Sequence, residues 1–87
     1  MQTQQFVQIS VTCHSAEEMQ RAIDAINYHL ETLNPRIKRT SKTLTVRVPP
    51  LDPTLFEPDE ACDIIRQTLA QSLTFTNEWT CTLHTIN

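Results

Sequence analysis

Five of the seven basic residues of this 87-residue chain lie between positions 36 and 47. They are Arg36, Lys38, Arg39, Lys42 and Arg47. The rest of the chain is acidic, because ten carboxylates bring the formal net charge to −3. Cations gathered on one short stretch can bind carboxylates or phosphates through contacts that weaken with salt. The cluster therefore predicts an anion-binding surface, and an acidic protein is the favoured partner because the acidic remainder would repel a nucleic acid outside one narrow contact.

The same cluster has a purely structural explanation. Edge strands of β-sheets often carry lysine and arginine, which prevent pairing with the edges of other molecules. Edge protection, binding of an acidic protein and phosphate contacts with a nucleic acid are therefore all open at this point.

The segment 49–58 holds four of the five prolines and is predicted to be an extended connection. It also contains three apolar residues, Leu51, Leu55 and Phe56, in a segment expected to be exposed. They could dock a partner, or Phe56 could pack back on Ile64 or Cys62 of the following helix. The predicted partner-binding set consists of the five cations and these three apolar residues.

Cysteine and histidine side chains raise the question of a metal site or a nucleophile. Cys81 and His84 are three apart on a predicted strand, so they point to opposite faces and cannot share a metal ion. Cys13 and His14 form the one thiol nucleophile candidate, but the sequence offers no group to orient them. We therefore predict a binding module of adaptor, regulatory or inhibitor type, with no enzymatic activity, metal or cofactor.

Composition narrows the function classes further. The chain contains no glycine, which excludes phosphate-binding loops, dinucleotide fingerprints and EF-hands in their usual form. No apolar run approaches the length needed to cross a membrane, and residues 1–5 lack the features of a signal peptide. Three cysteines without a framework spacing fit buried thiols in a reducing compartment, so we predict a cytoplasmic protein without membrane contact.

Secondary-structure signals divide the chain into six elements. The clearest is a helix over residues 15–33, in which Ser15 and Glu18 form a capping box and Asn34 with Pro35 ends the helix. Alternation predicts strands over 6–13, 36–40, 43–48 and 79–86. A second helix begins near Asp59, with Ala61, Ile64, Ile65 and Leu69 on its apolar stripe. The order is strand, helix, strand, strand, helix, strand.

That order predicts one α+β domain over residues 1–87, with a ferredoxin-like β-α-β-β-α-β arrangement. Its four-stranded antiparallel sheet would carry both helices on one face, with the first and third strands at the centre. The other face would be rich in Thr, Ser and Gln, which suits either solvent or a homodimer contact. Thr12 and Thr45 occupy central positions where RNA-binding sheets carry aromatic rings, so base stacking is not expected there.

Overall fold

The computed structural model describes residues 4–49, 57–76 and 78–86. The strands are β1 (Gln4–Thr12), β2 (Arg36–Arg39), β3 (Thr43–Val48) and β4 (Trp79–Ile86). The helices are α1 (Ala16–Leu30) and α2 (Pro58–Ser72), and a 3-10 turn over Glu31–Leu33 follows α1. The elements follow the chain in the order β1, α1, β2, β3, α2, β4.

All four strands form one antiparallel sheet in the order β2-β3-β1-β4. β1 lies at the centre, with Ile9 opposite Val46 of β3 on one side and opposite Cys81 of β4 on the other. β2 is an edge strand that pairs with β3 alone among the described strands. The predicted α+β class and the four-stranded antiparallel sheet are confirmed.

The core lies between the two helices and one face of the sheet. Alternate residues of the central strands are buried there, since side chains in a strand point to opposite faces. The buried sheet residues are Val7, Ile9, Val11, Leu44, Val46, Val48 and Cys81. The helices add Met19, Ala22, Ile26 and Leu30 from α1, and Cys62, Ile65 and Leu69 from α2. One apolar cluster thus contains residues of both helices and of the sheet.

The ends of α1 follow from local residue chemistry. Ser15 Oγ accepts a hydrogen bond of 3.1 Å from the Glu18 backbone N–H, as predicted for an N-cap. The reciprocal half of the predicted capping box is not formed among the described hydrogen bonds, and the buried Oε1 of Glu18 has no partner there. The predicted single helix to residue 33 tightens into the 3-10 turn after Leu30, and Asn34 stops it in the left-handed conformation at φ 54°.

α2 begins one residue earlier than predicted, because proline fits the first helical position, where no backbone N–H is required. Its apolar stripe also differs from the prediction. Ile64 is 47% exposed, whereas Cys62 is buried. The stripe faces the sheet through Ala61, Cys62, Ile65 and Leu69, and this rotation leaves Ile64 at its margin.

β1 spans Gln4–Thr12 rather than 6–13, so Cys13 lies just after the strand. The Cys13 N–H donates to Lys42 O at 2.7 Å, and the Thr12 N–H donates to Glu78 O at 2.8 Å. These bonds hold the end of β1 between the β2–β3 turn and the start of β4. No helix in the described ranges is both long and apolar enough to cross a membrane.

Candidate functional site

The candidate site is the open face, which we define as the sheet face opposite the helices. The side chains that alternate with the core residues project from it. They are Phe6, Gln8, Ser10 and Thr12 from β1, Arg36 and Lys38 from β2, Thr43, Thr45 and Arg47 from β3, and Thr80, Thr82 and His84 from β4. Every one of these is intermediate or exposed. The predicted Thr-rich character of this face agrees with the structure.

Charge is divided between the two layers of the molecule. The four strands carry four basic residues and no carboxylate. The two helices carry six carboxylates and two basic residues. Both of the helix cations are neutralised locally, since Arg21 pairs with Glu17 at 3.0 Å and Arg66 pairs with Asp63 at 2.7 Å. The sheet layer is therefore positive and the helix layer negative.

Three of the five clustered cations share the open face. Arg36 lies directly opposite Arg47 in the β2–β3 register, and Lys38 lies opposite Thr45. All three are exposed, and none forms an ion pair with a carboxylate of the described segments. Like charges directly across an antiparallel pair destabilise the sheet. These three residues, Arg36, Lys38 and Arg47, are called the basic patch below, and they place three positive charges on the open face.

The remaining residues of the predicted set lie elsewhere. Arg39 pairs with the buried Leu44 and so points to the helix side of the edge strand, where it is exposed. Lys42 lies in the turn between β2 and β3, and the described contact there is made by its backbone carbonyl. Leu51, Leu55 and Phe56 lie outside the described residues.

An aromatic group formed by Phe6 and His84 adjoins the basic patch. The Phe6 ring stacks on the His84 ring, with centroids 5.4 Å apart and planes inclined by 19°. The Arg47 guanidinium carbon lies 5.3 Å from the Phe6 ring centre, within the range of a cation–π contact. His84 is held by Thr82, whose Oγ1 lies 2.8 Å from His84 Nε2. Arg47 and His84 approach Phe6 from strands on opposite sides of β1.

The cross-strand register explains why this group forms. Phe6 pairs with His84 across β1 and β4, so their side chains leave the sheet on the same face. The sequence shows the alternation in both strands. It does not show the register that places residue 6 opposite residue 84.

Cys13 and His14, the nucleophile candidate of the sequence, are not arranged as a pair. Cys13 is buried, and burial together with the charge of Glu18 raises the pKa of its thiol. His14 is exposed and directs Nε2 to Glu78 Oε2 at 3.2 Å. The geometry therefore keeps the sulfur as a thiol and gives His14 another partner.

Two possible metal ligands, Cys81 and His84, also lie apart, on opposite sides of the sheet. Cys81 is buried on the helix side and His84 is exposed on the open face, as their spacing predicted. Within the part of the chain that the structure describes, no group of three or more His, Cys, Asp or Glu residues is placed to hold a metal ion.

Comparison with known proteins does not point to a function for this chain. Neither the protein-family models nor the curated proteins give a match. Among solved structures, the chain resembles the crystal structure of hypothetical protein MJ1052 from Methanocaldococcus jannascii, with a TM-score of 0.41 and 9% identity. That match covers 100% of this chain and 81% of the other.

Proposed function

We propose that this chain is a small non-enzymatic binding module whose basic patch contacts an acidic surface of a partner protein. The observation that carries this proposal is the placement of Arg36 opposite Arg47, in a layer that contains no carboxylate. A pair of like charges opposes sheet formation, whereas an anionic partner placed over both guanidinium groups would remove that penalty.

Protection of the sheet edge does not explain all three cations of the basic patch. A single lysine or arginine on β2 is enough to discourage pairing with another sheet edge. Arg47, however, lies on the interior strand β3, which already has neighbours on both sides. Its charge therefore does not protect an edge, and within the described residues its guanidinium contacts the Phe6 ring instead.

A protein partner is favoured over a nucleic acid by the surroundings of Phe6. Base-stacking sheets offer a free aromatic face to the nucleotide. Here Arg47 and His84 already contact the ring from both neighbouring strands. The acidic helix layer would in addition repel any extended polyanion that reaches around the sheet.

Adjacent residues of β2 supply a matched test. Lys38 projects from the open face, whereas Arg39 projects from the other side of the same strand. The tagged chain would be used to capture partners from its native lysate after nuclease treatment, with detection by mass spectrometry. We expect Lys38→Glu to abolish capture of a stoichiometric protein and Arg39→Glu to retain it. Equal capture by both variants would contradict the use of the open face.

Nucleic-acid binding is the second candidate, favoured by the contact of the Arg47 guanidinium with the Phe6 ring of the Phe6–His84 pair. It predicts binding of labelled single-stranded or duplex probes at low salt, with affinity falling steeply as salt rises. Arg47→Gln should weaken this binding more than Arg39→Gln. Absence of any shift with either probe at low salt would remove this candidate.

Homodimerisation through the open face is a separate proposal, supported by the six threonines and serines of that face. If the basic patches of the two copies face each other in the contact, the dimer should form only where salt screens them. Light scattering of the chain at high concentration, in low and high salt, tests this. A mass of one chain under both conditions would refute the dimer.

We also propose that the architecture is ferredoxin-like. Support comes from the order β1, α1, β2, β3, α2, β4 and from the central position of β1 and β3. Backbone nuclear Overhauser contacts of Val7 with both Val48 and Leu83 would be expected, and absence of either set would contradict the assignment. Residence in the cytoplasm stays a prediction, which the three free cysteines fit and cell fractionation would test.

A further inference from the structure

Two buried cysteines from separate elements meet beneath the sheet. The Sγ atoms of Cys62 on α2 and Cys81 on β4 are 3.9 Å apart, and each residue is 4% exposed. Cys81 lies opposite Ile9 in the β1–β4 register, and its sulfur meets that of Cys62 on α2.

Each sulfur also lies close to the carbonyl oxygen of the other cysteine. Cys62 Sγ lies 3.9 Å from the Cys81 carbonyl oxygen, and Cys81 Sγ lies 3.8 Å from the Cys62 carbonyl oxygen. Each sulfur thus reaches the main chain of the other residue. A disulfide requires close approach of the two Cβ atoms with little backbone movement, and this reciprocal contact is compatible with that requirement.

The Arg66 side chain contacts both cysteines and also pairs with Asp63 on the exposed side of α2. Its Nη2 donates to Cys81 O at 2.9 Å and lies 3.7 Å from Cys62 Sγ, while its Nη1 pairs with Asp63. The guanidinium is a donor that interacts more strongly with an anionic sulfur species than with a neutral thiol. Of the two sulfurs, Cys62 alone has this neighbour among the described contacts.

We propose that Cys62 and Cys81 form a reversible intramolecular disulfide, with a peroxide as the oxidant, which links α2 to the edge strand β4. This inference does not depend on the proposed function, because both sulfurs lie on the opposite side of the sheet from the basic patch.

The chemistry balances in two steps. Hydrogen peroxide oxidises the Cys62 sulfur to a sulfenic acid and is itself reduced, leaving one water. The Cys81 sulfur then displaces the hydroxyl of the sulfenic acid, and this hydroxyl leaves with the Cys81 proton as a second water. Two thiols thereby lose two electrons and two protons, and one peroxide becomes two waters. A small thiol reductant reverses the bond by thiol–disulfide exchange.

The order of these steps follows from the surroundings of each sulfur. Burial and the adjacent Cys62 raise the pKa of Cys81 to about 12, so Cys81 stays a neutral thiol at neutral pH. Cys62 reacts first because the Arg66 guanidinium lies 3.7 Å from its sulfur, a contact that favours an anionic sulfur species. Cys13 has no sulfur neighbour among the described contacts, so it has no partner there for an intramolecular disulfide.

The positions of arginine make the product easy to identify. Trypsin cleaves after Arg21, Arg47 and Arg66, which places Cys13, Cys62 and Cys81 in three different peptides. The reduced full-length chain would be treated with hydrogen peroxide, its remaining thiols blocked with N-ethylmaleimide, and the digest analysed by mass spectrometry. We expect a linked species of peptides 48–66 and 67–87 that has lost two hydrogens and disappears on reduction, with Cys13 alkylated.

Variants separate this pair from general thiol oxidation. Cys62→Ser should leave Cys81 unlinked, and Cys81→Ser should leave Cys62 as a sulfenic acid that a dimedone probe labels, whereas Cys13→Ser should form the disulfide normally. Thermal melting of the oxidised chain should occur at a Tm higher by about 5 °C or more than that of the reduced chain. If a variant does not fold, the peptide map of the natural sequence still decides. Failure to form the 62–81 link, or preferential oxidation of Cys13, would overturn the proposal.

Discussion

Arg36 is a residue whose charge works against the sheet that carries it. It lies directly opposite Arg47, and both side chains are exposed on the open face. We expect Arg36→Thr to raise the free energy of unfolding by about 0.2–0.5 kcal/mol, because it removes a like-charge pair and adds a β-branched residue. Urea denaturation would measure the change. Lys38→Thr is the control, since Lys38 lies opposite Thr45, and a gain there equal to that of Arg36→Thr would mean that charge opposition is not the cause.

Cys81 should make stability depend on pH in the alkaline range. Its folded-state pKa is raised from 9.0 to about 12, so the native state retains the thiol proton after the unfolded chain has lost it. Stability from this group is complete below about pH 9 and declines as the pH rises from 9 to 12. Thermal melting under reducing conditions should show a smaller alkaline loss for Cys81→Ala than for the natural sequence. Identical alkaline losses in the two proteins would contradict the assignment.

Prediction from sequence was reliable for residues whose surroundings are fixed locally. The N-cap role of Ser15 and the helix stop at Asn34 followed from helix-capping chemistry. The outward direction of His84 followed from the alternation of its strand. The contacts of Phe6 with His84 and of Cys62 with Cys81 were not predicted, because each joins residues far apart in the chain. Their positions depend on strand register and on the rotation of α2, which local patterns do not specify.

The start of α1 depends on one side-chain hydrogen bond. Ser15 Oγ satisfies the Glu18 N–H, one of the backbone donors that a helix leaves free at its first turn. We expect Ser15→Ala to lower the free energy of unfolding by about 1 kcal/mol. Chemical denaturation would measure the loss. Ser41→Ala, in the exposed β2–β3 turn, provides the comparison, and a similar loss in both variants would show that the cap is not responsible.

Among the elements, α1 was easier to predict than α2 for a physical reason. The apolar residues of α1 repeat at helical spacing between a strong cap and an asparagine stop, so its periodicity fixes the buried face. In α2 the adjacent Ile64 and Ile65 leave two rotations that bury similar apolar area. The structure selects the one that places Cys62 against Cys81 and leaves Ile64 partly in solvent.

The short strand β2 was the weakest sequence signal among the strands. It has four residues, and only Ile37 among them is partly buried. An alternating pattern that contains a single apolar residue is a weak signal for a strand. Its bounds are set by pairing with β3. The candidate site depends on this pairing, because the register decides that Arg36 and Lys38 join Arg47 while Arg39 does not.

For the molecule as a whole, the separation of charge between layers sets the salt dependence of binding. Contacts with an acidic partner should weaken at least tenfold between about 50 and 300 mM salt, since the screening length falls from about 14 Å to about 6 Å over this range. Surface plasmon resonance with the captured partner would measure this. The combined variant Arg36→Gln, Lys38→Gln and Arg47→Gln should bind weakly with little salt dependence. An unchanged dependence in that variant would locate the contact elsewhere.

The arrangement of the layers could be inferred from element order, whereas the division of charge between them could not be assigned before the faces were known. Positions of Asp and Glu in the sequence indicate helix starts, and those of Lys and Arg indicate one hairpin. The sheet register is what converts this linear separation into two oppositely charged surfaces.

This two-sided distribution gives the described part of the molecule an electric dipole moment directed roughly across the sheet. Such a protein does not behave in chromatography as its net charge suggests. At neutral pH and low ionic strength, a chain with a formal charge of −3 should be retained by a cation exchanger through its sheet and by an anion exchanger through its helices. In either column the molecules would be held in one orientation, with the opposite surface left facing the solvent.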